Sequence, residues 1–148
     1  MRRSRRATSR PANFTTTLLV ATSADPQVRG TAGHFFHPIR SLTVDDYQQY
    51  MIALVDITFT HPGTGSVFVS TNLSGLTRVG SQLVNTIYRI PTMAAGEQTL
   101  EQHGSIVKWY PYGSFVTASE VEIQLTDALG ATIPAAGVTT VTLAIRRI

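Results

Sequence analysis

"SEVEIQLTDALGATIPAAGVTTVTLAIRR", residues 119–147, decides the fold class. Val121, Ile123 and Leu125 alternate with Glu120, Glu122, Gln124 and Thr126. A strand converts that period of two into one apolar face and one wet face, and a helix does not. Asp127 and Gly130 then supply a turn. A second alternation follows, with Val141, Leu143 and Ile145 inward and mainly threonine outward until Arg146.

Upstream, the same reading predicts strands at "FTTTLLVA" (14–21), "YMIALVDITFT" (50–60), "SVFVST" (66–71), "QLVNTIYRI" (82–90) and "SIVKWY" (105–110), with a shorter one at "GHFFHPI" (33–39). "MIALVDI" is apolar on both faces through Leu54, which places it in a sheet interior between two layers. "TVDDYQQY" reads as a short helix, with Thr43 as N-cap and Asp46 completing a capping box, covering one end of the barrel. "GTG" at 63–65 reads as a hairpin loop, and residues 91–104 as an exposed loop. Short strands between turn signals predict an all-β chain, an antiparallel two-sheet sandwich of jelly-roll or immunoglobulin-like type. Immunoglobulin domains are marked by a cysteine pair, and this chain has no cysteine.

The 148 residues suffice for one domain whose core needs neither disulfides nor metals. Charge divides them into an arm, residues 1–13, and a body, residues 14–148. Arg2, Arg3, Arg5, Arg6 and Arg10 are five of the twelve basic residues; without them seven basic residues face nine acidic ones, a net −2. The basic balance therefore belongs to the arm, and a uniformly basic DNA-binding body is excluded. All the basic residues except Lys108 are arginine, whose planar fork matches phosphate oxygens. An acid-free, arginine-dense arm without apolar periodicity does not fold alone, yet it neutralises phosphates without reading sequence. A disordered, solubilising or nuclear-import tail is the plainer reading of the same residues. One arm of five charges binds weakly at physiological salt, so the arrangement suits many copies acting together.

No apolar run is long enough for a membrane helix, and "LLVA" after three threonines is a poor secretory signal. Pro11 and the threonine run oppose the amphipathic helix of a mitochondrial transit peptide, so the arm is expected to stay on the mature protein.

Nucleophile elbows, P-loops, dinucleotide fingerprints and H-E-x-x-H are absent, and the expectation is a non-enzymatic chain without cofactor or metal. His34 and His37 are three apart, and in extended chain they point to opposite faces. Glu120 and Glu122 share one strand face, where a solvated row of acids is the ordinary explanation and an acid/base pair the sharper one. Asp56 interrupts an apolar strand and faces solvent, a neighbouring subunit or an arginine such as Arg89 or Arg146. The sequons at Asn13 and Asn72 are read as chance.

"SFVTASEVEIQLTDALGATIPAAGVTTVTLAIRR" (114–147) resembles the closing strands of jelly rolls in capsid proteins of Polinton-like and adintovirus-like DNA viruses. "HPIRSLTVDDYQQYMIALVDITF" (37–59) is similar to that family's Pro-x-x-Leu approach to an Ala-Leu-Val-x-Ile strand, and "VKWYPYGSF" (107–115) falls where it has an aromatic and a proline. Tyr50 and Met51 depart from its usual Trp and Glu. Its major capsid proteins carry two jelly rolls, and this chain has room for one. By length and arm it is also similar to the coat proteins of very small single-jelly-roll and satellite viruses.

The resemblance implies a single-jelly-roll capsid subunit that assembles with copies of itself into an icosahedral shell, in the virion and, during assembly, in the host nucleus. The arm would contact packaged nucleic acid or neighbouring subunits; on the order of sixty copies would bring roughly 300 positive charges inside. A penton, forming pentamers, or a minor protein beside other capsid proteins is the alternative within the same class. Phe35, Phe36, Trp109, Tyr110 and Tyr112 are the candidate subunit interface. A lectin-like or cytokine-like sandwich using Trp109, Tyr110 and Tyr112 as a binding platform is the alternative of another class.

Overall fold

A computed structural model describes residues 16–39, 50–63, 65–73, 77–79, 82–84, 86–91, 94–101, 110–111 and 120–147. The described residues are all-β, without a helix. The strands are β1 (Thr16–Thr22), β2 (Arg29–Thr31), β3 (His34–Pro38), β4 (Tyr50–His61), β5 (Val67–Thr71), β6 (Thr77–Val79), β7 (Gln82–Val84), β8 (Thr86–Ile90), β9 (Gly96–Glu101), β10 (Tyr110–Pro111), β11 (Glu120–Thr126) and β12 (Ala136–Arg147).

Two five-stranded antiparallel sheets form the body. Sheet A runs β1-β12-β4-β10, with β9 also paired to β4; sheet B runs β2-β3-β11-β5-β8; β6 and β7 form a separate ribbon. Sequence neighbours mostly sit in opposite sheets, and the pairing is nested instead. β1 pairs with β12, β3 with β11, β4 with β9, and β5 with β8. The chain is thus laid out as one long hairpin and then rolled, so that β12 also meets β4 and β11 also meets β5.

The two sheets share one core. Sheet A contributes Ile52, Leu54, Ile57, Phe59, Val141 and Leu143, and sheet B contributes Phe35, Val69, Ile90, Val121, Ile123 and Leu125, all fully buried. Removing one such side chain from water is worth roughly 1.5–3 kcal/mol, which ties the closing alternation directly to the stability of the sandwich.

β4 lies inside sheet A, as its sequence suggests, but its two-faced apolarity has a specific cause. Thr142 is opposite Asp56 and Leu143 is opposite Leu54, so Val55 is an extra residue, a β-bulge. The bulge flips the parity of the strand. Ile52 and Leu54 face the core before it, and Ile57, Phe59 and His61 after it.

Several expectations change. Residues 91–104 are not one loop, because Gly96–Glu101 is β9. Its only large apolar residue is Leu100, packed against the core, so composition hid the strand. The 62–66 segment is not a hairpin loop; it carries the chain from sheet A to sheet B. "QLVNTIYRI" is two strands, β7 and β8, in different sheets. The arm, the helix expected at 43–50 up to Gln49, and most of the strand expected at 105–110 lie outside the described residues.

One end of the sandwich is tied by Thr139, which is fully buried. Its hydroxyl donates to the Ala32 carbonyl at 2.6 Å, and its N–H donates to the Ser23 hydroxyl at 2.9 Å. Beside it, the Leu125 N–H donates to the Gly33 carbonyl at 2.8 Å. Only glycine fits position 33, since a Cβ there would lie 2.3 Å from the Ile133 carbonyl oxygen.

Candidate functional site

The outer faces of the two sheets differ in chemistry. On sheet B, Arg29 donates to Glu120 at 2.9 Å and lies 4.1 Å over the Phe36 ring. His34 Nε2 is 2.9 Å from Glu122 Oε1, and its ring is 5.2 Å from that of Phe36. Asn72 Nδ2 donates to the Glu120 carbonyl, and its Oδ1 accepts from the Glu122 N–H, each at 2.9 Å. Arg89 donates to Ser66 at 3.0 Å. Both acids of β11 are therefore engaged by basic side chains, Glu122 by His34 of the adjoining β3 and Glu120 by Arg29 of β2, one strand further out, which braces this polar surface. Arg29 is largely solvated and Glu120 partly so, and such a bridge is worth at most about 1 kcal/mol.

The outer face of sheet A is mainly neutral. Thr22, Thr140, Thr58 and Thr99 stand in one row across β1, β12, β4 and β9. Within it, the Thr140 hydroxyl donates to that of Thr22 at 3.2 Å, and those of Thr58 and Thr99 are 3.3 Å apart. The next row is Val20, Thr142, Asp56 and Glu101; another is Leu18, Ala144 and Ala53. Ala53 and Ala144 are buried, while Leu18 and Val20 are 63% and 53% exposed. Asp56 belongs to this face, and Arg89 to the other sheet.

Of the candidate interface residues, Phe35 is corrected: it is fully buried in the chain's own core and has no surface for a neighbour. Alternation explains the split, because Phe35 stands opposite core residue Ile123 and Phe36 opposite Glu122. Phe36 is half-buried beneath Arg29. Tyr110 stands opposite Ile52 in β10. Trp109 and Tyr112 lie outside the described residues, as do Arg2, Arg3, Arg5, Arg6 and Arg10.

His34 and His37 emerge on opposite faces of β3. His37 stands opposite core residue Val121, and its Nδ1 is buried without a hydrogen-bond partner. No group of three or more His, Asp or Glu residues among the described residues is placed to hold a metal ion. The described residues contain no helix long and apolar enough to cross a membrane. The sequence reading missed Leu18 and Val20 as surface residues. The available signal was "LLVA", where four apolar residues in succession put apolar groups on both faces of a strand.

No family model matches the chain, and neither does any curated protein or solved structure.

Proposed function

We propose that the sandwich is a single jelly roll and that the chain is a structural subunit of a viral capsid. The observation that carries this reading is the nested pairing β1·β12, β3·β11, β4·β9 and β5·β8, rolled so that β12 meets β4 and β11 meets β5. A long hairpin rolled into two facing sheets is the jelly-roll plan, used by capsid and lectin domains alike. Immunoglobulin-like sandwiches distribute their strands as ABED and CFG, which this order does not follow.

The choice of a capsid over a lectin rests on charge. Five arginines precede Pro11, and the body beyond residue 10 is net negative, a division that suits a shell whose arms face packaged nucleic acid. Two differently built faces also suit a subunit that is solvated on one side and packed on another. On this reading the arm binds without sequence preference, and shell geometry multiplies its weak affinity.

The test is nuclease protection. The full chain is expressed alone, treated with nuclease, and sedimented; nucleic acid recovered in the fast-sedimenting fraction supports the reading. Deletion of residues 2–10 is expected to leave the melting transition of the body unchanged and to reduce the protected nucleic acid by more than half. Fast-sedimenting particles whose nucleic-acid content does not depend on the arm would overturn its role. A slow-sedimenting protein that binds glycans would overturn the capsid reading.

A further inference from the structure

We infer that β1 is a self-pairing edge, at which two copies of the chain join antiparallel about Leu19 to make one continuous sheet. The inference rests on the self-assembly reading for its context, and on β1 itself for its geometry.

Among the described residues, β1 is the last strand of sheet A; its register with β12 runs unbroken from Thr16 to Thr22. The segment TTLLVAT contains no charge, proline or glycine, and the register shows no bulge. Soluble proteins normally protect such an edge with one of these devices, because half of its backbone N–H and C=O groups point outward ready to pair. β1 has none, and it carries Leu18 and Val20, two of the four large hydrophobic residues most exposed among those described.

Self-complementarity identifies the occupant. Residues directly opposite in a sheet share a face, so two copies that keep their cores on the same side must pair odd with odd and even with even. The register that uses all seven residues centres on Leu19 and places Leu18 of each copy opposite Val20 of the other. The two exposed apolar side chains of each copy then cover those of its mate.

Charge agrees with this arrangement. Arg146 stands in the Thr16 row, whereas Asp56 and Glu101 stand in the Val20 row. An antiparallel mate continues the Thr16 row into its own threonine row and the Val20 row into its own Leu18 row of alanines. The mate thus brings no second charge of the same sign into either row. The contact is also small: seven residues at about 3.3 Å give a strip roughly 23 Å long and about 10 Å across, on the order of 230 Å², well short of the roughly 800 Å² per partner of a stable pair. It suits a contact repeated many times in an assembly, not a strong isolated dimer.

The absence of native cysteine makes a direct test available. Leu18→Cys and Val20→Cys proteins are prepared separately, mixed, assembled and oxidised. Residues 18 and 20 of opposite copies would be about 5 Å apart, within disulfide range, while two residues 20, or two residues 18, would be diagonal at about 7–8 Å, beyond it. The expected result is cross-linked dimer in the mixture and severalfold less in either variant alone; Val20→Lys should abolish the contact in an otherwise folded chain. Absence of mixed cross-links, or cross-linking confined to a single variant, would overturn the Leu19-centred pairing. Nucleic-acid-filled particles without the cross-link would remove the pairing and leave the capsid reading, and cross-linked dimers without particles would do the reverse.

Discussion

Asn72 pairs with Glu122 as though it were one more residue of the adjoining strand: its side-chain Oδ1 accepts the Glu122 N–H at 2.9 Å. Its Nδ2 completes the imitation by donating to the Glu120 carbonyl. β5 ends at Thr71, so the amide extends sheet B by a step the backbone no longer supplies. Asn72→Ala leaves a backbone donor and a backbone acceptor of β11 unmatched, and is expected to cost about 1–3 kcal/mol. A thermal melt of the variant checks this, and an unchanged midpoint would refute it.

Val55 sets the parity of β4, and its deletion is expected to be far worse than its truncation. Without the extra residue, either Ile52 and Leu54 or Ile57, Phe59 and His61 must turn away from the core. At roughly 1.5–3 kcal/mol for each large side chain, the loss rivals the whole stability of a domain, about 5–15 kcal/mol. The deletion variant should lack a cooperative unfolding transition, whereas Val55→Ala should keep one. A cooperative melt from the deletion variant would show that the bulge does not control the register.

His61 ties the arch between the sheets. It is 3% exposed, accepts the Gly63 N–H at Nδ1 and donates from Nε2 to the Gly65 carbonyl, both at 3.0 Å. Those roles fix the neutral tautomer with its proton on Nε2. His61→Phe keeps a ring beside Phe59 but removes both bonds, at an expected cost of about 1–3 kcal/mol. Hydrogen exchange should accelerate at Gly63 more than in the centre of β4; uniform acceleration would mean that the ring's role is packing alone.

Gly33→Ala drives a methyl group into the Ile133 carbonyl, 2.3 Å from the ideal Cβ position. Neither atom is at the end of a flexible side chain, so backbone must move, and a loss of about 1–3 kcal/mol is expected by urea unfolding. Gly63→Ala, where the added Cβ meets nothing within 4 Å, is the matched control.

The closing strands were legible because Val121, Ile123 and Leu125 and then Val141, Leu143 and Ile145 alternate without interruption, and all six are buried. β9 was not, because Glu97, Thr99 and Glu101 alternate with Gln98 and a single apolar residue, Leu100, too little contrast to mark a strand. The Val55 bulge was hidden for a related reason: one extra valine in an apolar run leaves no mark until the register with β12 is known. The candidate surface depended on similar knowledge. Phe35 and Phe36 are chemically alike, and only pairing with Ile123 and Glu122 separates core from surface. "LLVA" signals apolar groups on both faces of β1, but that the strand ends its sheet and leaves Leu18 and Val20 exposed is a fact of topology.

Electron microscopy of the full chain expressed alone, with the ultraviolet absorbance ratio of the same fractions, tests the central claim most directly. Closed particles of uniform diameter that absorb as nucleoprotein are the predicted result. A monodisperse monomer free of nucleic acid, at concentrations where capsid subunits assemble, would contradict a self-assembling coat; a discrete pentamer would move the chain to a vertex role.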